Sequence, residues 1–207
     1  GTYGDNATQN IEFGGPALAG LSISARKTLA TMGAELSCEF ATFEPDAVLV
    51  DYLRACGKTD LETVRPDADA NYLETRTVDL GSLEPLVALP DSVINNSRPI
   101  AKVSGTRIDQ AFIGSCANGT LDDLALAARV LAGRKVSPKT RLIVTPASQQ
   151  VYLRALREGI IATLVEAGAI VTNSTCGACG GGHMGVLAPE EICITASTRN
   201  FKGRMGD

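Results

Sequence analysis

Residues 173–185 read NSTCGACGGGHMG. They place a C-x-x-C pair, Cys176 and Cys179, in a run of glycines beside His183, the one histidine of the chain. Pairs of this kind serve disulfide exchange, zinc sites and iron–sulfur clusters alike. A third cysteine, Cys116, stands in IGSCANG, 60 residues before Cys176. A structural zinc site wants four donors, usually as two close pairs. Here there is one pair and one single cysteine, so a fourth donor would be His183, Cys193 or nothing. Cys193 sits inside the apolar stretch EICITA and reads as packing, whereas His183, four residues past Cys179, remains a candidate. A redox pair needs only two cysteines and leaves Cys116 without a role. Three thiolates with an open fourth position suit a [4Fe–4S] cluster with one iron free of protein thiolate. Such an iron can act as a Lewis acid toward a hydroxyl and a carboxylate. The glycines of GSCANG and CGACGGG would bring backbone N–H groups close to the cluster sulfides.

These residues must be positioned by regular elements, and from residue 110 onward the rhythm is regular. QAFIG, RLIVT, AIVT and ICITA read as strands. LDDLALAARVLAG, SQQVYLRALREG and IIATLVEAG read as helices, each ended by glycine. The acidic LDDL start suits a helix N-terminus. Strands alternating with helices imply βαβ units and a parallel sheet, and ligands then collect beyond the carboxyl ends of the strands. Cys116 follows QAFIG, Cys176 and Cys179 follow AIVT, and Arg199 and Arg204 follow ICITA. Three cysteines and two arginines thus fall on one edge of one expected sheet, and arginines there would hold carboxylates in bidentate fashion.

The first half is less regular. Residues 16–37 predict a helix, with Ala25, Leu29, Met32 and Leu36 at spacings of four, three and four, and residues 46–56 predict another. TRTVDL predicts a short strand, and the glycines, prolines and NNS of residues 81–105 predict an irregular linker. The expected organisation is an α/β domain over 1–85, a linker over 86–107 and an α/β cluster-binding domain over 108–207. Cys38, Cys56 and Cys193 fit helix or strand faces and are expected in the core.

Composition narrows the function. The 207 residues carry a net charge of −4 with scattered positive residues, which argues against a nucleic-acid surface. No apolar run approaches about 18 residues, so no membrane span is expected, and no signal peptide is visible. Six cysteines in a chain of this size suggest a reduced, cytoplasmic setting rather than a disulfide scaffold.

IGSCANGTLDDL, TCGACGGGHMGVLAPEE and TRNFKGRMG resemble the aconitase superfamily. Within it they look like the large subunits of the 3-isopropylmalate dehydratase, homoaconitase and dimethylmalate dehydratase branch. NIEFGGPALAGLSISARKTLATMGAE and DLGSLEPLVALP are similar to the family's middle segment, so the resemblance covers nearly the whole chain. It implies an α/β fold of parallel-rich sheets flanked by helices, in aconitase-like α/β/α core domains. It implies a [4Fe–4S] cluster on Cys116, Cys176 and Cys179, with substrate carboxylates on Arg199 and Arg204. It also implies that Glu12 assists at the reacting hydroxyl or water. The reaction would dehydrate a hydroxy di- or tricarboxylic acid and rehydrate it with the hydroxyl on the neighbouring carbon.

Three departures stand out. Ala178 replaces the usual proline of C-G-P-C, and Thr198 the usual asparagine before R-N-F. The family's N-terminal His and Asp residues and the serine base of its swivelling domain or small subunit have no counterpart here. The chain is therefore expected to be the core of a larger enzyme, incapable of full turnover alone, with a small subunit or swivelling domain as partner. His183 is expected to hold the loop by a hydrogen bond, or to make a polar contact near the cluster, rather than to bind a metal. The rival function is a non-catalytic structural or iron-sensing metal module, against which the two arginines count because a structural site has no use for them.

Overall fold

A computed structural model describes residues 9–90, 96–198 and 202–206. The chain divides into two compact units, Gly1–Pro85 and Leu86–Asp207.

The first unit opens with β1 (Ile11–Phe13), a 3-10 turn (Pro16–Gly20), α1 (Ile23–Met32), a second 3-10 turn (Gly33–Leu36), β2 (Ala41–Phe43) and α2 (Ala47–Ala55). The helix expected over 16–37 is thus broken into three. Leu21 leaves the first turn in extended conformation, and Ser22 restarts the chain as N-cap, accepting from the Ala25 N–H. Met32 and Leu36, expected on a buried stripe, are exposed. The one buried residue of α1 is Arg26. Its guanidinium donates to both Asp46 oxygens, at 2.8 and 2.6 Å, and to the Leu18 carbonyl at 2.7 Å. Asp46 also caps α2, accepting from the Leu49 N–H at 3.0 Å. β1 and β2 pair in parallel, Phe13 opposite Phe43, and the two rings stack 4.7 Å apart.

Residues 57–79 form neither helix nor strand, so the strand expected at TRTVDL is absent. A strand needs a neighbour for its backbone N–H and C=O groups, and none of the described strands pairs there. Cys56 is exposed at the C-cap of α2 rather than in the core, because α2 ends before its apolar face reaches it. Cys38 is half-buried in a turn, its thiol donating to the Gly33 carbonyl at 2.9 Å.

The second unit begins with an antiparallel ribbon of β3 (Leu86–Ala88) and β4 (Ser97–Pro99), followed by a 3-10 turn (Ile100–Val103). The segment expected to be irregular therefore carries structure. Strands of three residues are too short to show a period in sequence, and the Asn96 amide helps tie this ribbon by donating to the Leu89 and Pro90 carbonyls.

The main sheet follows, with β5 (Gln110–Gly114), α3 (Ser115–Asn118), α4 (Leu121–Leu131), β6 (Arg141–Thr145), α5 (Gln149–Arg157), α6 (Ile160–Glu166), β7 (Ile170–Val171), α7 (Gly177–Gly180) and β8 (Cys193–Thr195). Its order is β7-β6-β5-β8, and every pairing is parallel, so the protein is an α/β fold. The period of two in the strands sorts the core onto two faces. Leu142 and Val144 join Leu124, Ala155, Ile161 and Leu164 beneath α4, α5 and α6. Phe112 and Ile143 point the other way, onto Ala178, Cys179 and Met205. Thr120 and Asp123 close a reciprocal capping box at the start of α4, so LDDL supplies a cap as well as a favourable dipole contact. Cys193 is half-buried as expected of packing; burial pushes its thiol up. Among the described residues no helix is long and apolar enough to cross a membrane.

The Arg26 pair generates a pH dependence. Hydrogen bonds from Arg26 and from the Leu49 N–H hold the Asp46 carboxyl at about 2, below its ordinary 3.8. A depressed carboxyl stabilises the folded state above its unfolded pKa, so this contribution is complete above about pH 4 and disappears as the pH falls toward 2. Asp46→Asn should lower the melting temperature of the first unit at neutral pH by roughly 5 °C and flatten its acid dependence, read by thermal unfolding across the acid range.

Candidate functional site

The carboxyl edge of the main sheet converges on Thr145, the last residue of β6, which is fully buried. Gly114 ends β5 with φ 154°, and a Cβ there would stand 2.5 Å from the Thr145 carbonyl oxygen. A Cβ on Gly119 would stand 2.3 Å from the same oxygen. IGSCANG thus carries glycine at both ends of α3 because the helix lies directly against β6. Ser115 between them holds φ 64°, a conformation that costs about 1–3 kcal/mol for a non-glycine residue. The turn aims Cys116 outward, and its side chain is exposed.

The second cysteine loop closes on the same strand end. A Cβ on Gly177 would meet Thr145 Oγ1 at 2.5 Å and the Phe112 ring at 3.2 Å. Thr145 Oγ1 and Thr172 Oγ1 lie 2.8 Å apart, and the Gly177 N–H donates to Thr175 Oγ1 at 2.9 Å. Cys176 is exposed at the N-cap of α7, whereas Cys179 is buried on the sheet face with the fully buried Ala178. Gly181 ends α7 with φ 68° against the Arg204 backbone: a Cβ there would lie 1.6 Å from the Arg204 carbonyl oxygen. Arg204 Nε donates back to the Cys179 carbonyl at 2.6 Å, and the Leu187 N–H donates to the Met205 carbonyl at 2.6 Å.

The structure therefore brings Cys116, Cys176, Cys179 and Arg204 to one edge of one sheet. Among the described residues, no three His, Cys, Asp or Glu side chains are gathered into a group that could hold a metal ion. Arg199 lies outside the described residues. Glu12 lies on β1 of the first unit, exposed, and accepts a hydrogen bond from Tyr72 Oη at 2.8 Å. His183 is exposed, and no loop-holding hydrogen bond from it is present among the described residues. Two buried polar atoms near the cysteines in sequence have no hydrogen-bond partner among the described residues: Asn118 Oδ1, two residues after Cys116, and Ser174 Oγ, two residues before Cys176. Thr145 and Tyr72 had no signal in the sequence. Each is brought out by a contact between distant segments.

An α/β protein with glycine-bound cysteine loops on the carboxyl edge of a parallel sheet is the class defined so far. The aconitase family (aconitate hydratase) model matches residues 5–98 and 91–207, and the chain belongs to that family. It is 53% identical over 204 residues to a 3-isopropylmalate dehydratase large subunit of Mycolicibacterium smegmatis, covering 99% of this chain and 48% of the relative. A probable methanogen homoaconitase large subunit of Methanothermobacter thermautotrophicus is 46% identical, covering 98% of this chain and 47% of the relative. A 3-isopropylmalate dehydratase large subunit 2 of Rubrobacter xylanophilus is 47% identical, with 98% and 48% covered. The chain spans about half the length of the curated relatives it matches.

The Gly181 contact can be tested against its neighbour, since a Cβ on Gly182 would meet nothing closer than 4.0 Å. Gly181→Ala should destabilise the second unit by about 1–3 kcal/mol, whereas Gly182→Ala should stay within about 0.5 kcal/mol, both read as shifts of the urea midpoint.

Proposed function

We propose that the chain is the cluster-bearing core of a hydro-lyase of the 3-isopropylmalate dehydratase type, isomerising a hydroxy di- or tricarboxylic acid by dehydration and rehydration. The observation that carries this reading is the arrival of three cysteines and Arg204, from three separate loops, on one carboxyl edge. Cys116, Cys176 and Cys179 are the thiolates, soft donors of the kind that select iron–sulfur clusters. The Asn118 and Ser174 side chains, next to the cysteine loops in sequence and without a partner among the described residues, are compatible with a polar group seated at this edge. When bound there, a [4Fe–4S] cluster with one iron free of thiolate supplies a Lewis acid for the substrate's hydroxyl and carboxylate.

The protein groups bind and orient. Arg204 is held by its Nε at the Cys179 carbonyl, which ties a carboxylate-binding side chain to the backbone of a proposed ligand. Arg199 joins it as the second carboxylate binder. Glu12 handles the proton at the reacting hydroxyl or water, a role a carboxylate fills as general base and then acid. A small subunit or swivelling domain supplies the serine base and shapes the pocket for the acid's side chain. A reducing cytoplasmic setting keeps the thiols available.

Anaerobic reconstitution of the full-length protein with iron and sulfide tests the ligand set. Cys116→Ser should abolish the visible sulfide-to-iron absorbance, whereas Cys193→Ser should keep it. Uptake of one zinc without sulfide would support the non-catalytic metal module instead. In the enzyme assembled with its small subunit, Arg204→Lys should retain the cluster and weaken substrate binding roughly tenfold, because lysine cannot form the bidentate fork. Unchanged KM would remove Arg204 from the site.

A further inference from the structure

We infer that Tyr72 is a positioning residue for the Glu12 carboxylate, an inference that rests on the proton-handling role proposed for Glu12. Tyr72 Oη donates to Glu12 Oε2 at 2.8 Å, across 60 residues of sequence. Tyr72 comes from residues 57–79, which have no helix or strand to hold them in place. Side-chain hydrogen bonds bring this segment onto the β1–β2 pair at two points. Arg65 Nη2 donates to the Pro45 carbonyl at 2.5 Å, and Tyr72 reaches Glu12. Both anchor points lie at the same place, because Glu44, just before Pro45, donates its backbone N–H to the Phe13 carbonyl beside Glu12 at 3.1 Å.

The chemistry of the contact has one direction. The hydrogen bond to Glu12 comes first among the effects that push the Tyr72 phenol up, followed by burial and then by the charges of Glu12 and Glu44. The phenol therefore stays protonated and serves as donor, and the carboxylate can only accept. A tyrosine has two side-chain torsions, so little freedom is lost in holding it. Tyr72 is 52% exposed and contributes little to a core, so the hydroxyl is what the position contributes. A proton-handling carboxylate on an exposed face of a three-residue strand has few neighbours to fix its rotamer. A donor locked to one oxygen leaves the other oriented for the reacting group.

The test uses the full-length enzyme with its cluster and small subunit, comparing Tyr72→Phe, Glu12→Gln and the double variant. Tyr72→Phe should lower kcat about tenfold, leave KM within about twofold and leave the melting temperature unchanged. The double variant should be no slower than Glu12→Gln alone, because a residue acting through Glu12 has nothing left to position. An inactive Glu12→Gln beside a fully active Tyr72→Phe would overturn the positioning role and leave the Glu12 reading standing. A double variant slowed by the product of both effects would also overturn it, placing Tyr72 on an independent function. A fully active Glu12→Gln would instead remove the Glu12 reading, and the positioning role with it.

Discussion

Three glycines and one strand end share a volume with no room for a side chain. Gly114 and Gly119 press on the Thr145 carbonyl, and Gly177 presses on its hydroxyl. Thr145 is itself fully buried, with its hydroxyl set against Thr172 just past β7. Close backbone approach of this kind is a use of glycine that no other residue can take over. Because the first two glycines bracket Cys116 and the third lies between Cys176 and Cys179, both cysteine loops are placed by the same contact. The separation of the thiols along the sequence then loses its importance, since each loop is referred to one strand end.

The sheet behind that contact is covered on two faces by different means. On one, α4, α5 and α6 pack apolar side chains on Leu142 and Val144. On the other, the layer is the cysteine loop itself, with Ala178 and Cys179 against Phe112 and Ile143, closed by Met205. The loop therefore owes its conformation in part to ordinary burial. Ala178 is fully buried, and a Cβ on Gly185 would stand 2.7 Å from its Cβ. The segment around Arg204 closes over this layer through Gly181 and Leu187, and Arg204 Nε at the Cys179 carbonyl couples the arginine to the cysteine backbone.

The first unit follows another logic. Its pinned element is polar: Arg26 joins α1, the first 3-10 turn and the cap of α2 through one guanidinium. A partly buried ion pair of this sort specifies geometry because the buried guanidinium is costly to leave alone. A helical stripe of apolar residues was the wrong signal here, since Met32 and Leu36 face outward while Arg26 turns in. The irregular stretch beyond α2 shows the same limit, because its Tyr72 and Arg65 contacts join residues 60 and 20 positions apart and leave no period to read.

By itself the sequence determined the four strands of the main sheet and the helices α4, α5 and α6, their parallel sense, the edge on which the cysteine loops follow the strands, and the family. These follow from periodicity, glycine stops and motifs, all of which are local along the chain. Tertiary structure alone decided that the long first helix breaks at Ser22, that the expected strand at TRTVDL stays unpaired, and that Leu86–Ala88 pairs with Ser97–Pro99 as a ribbon. It also decided that Cys56 faces solvent, that Thr145 is the seat of both cysteine loops, and that Tyr72 holds Glu12. Each of these is settled by which backbone groups and side chains find partners across the fold, and a partner dozens of residues away leaves no mark on its local pattern.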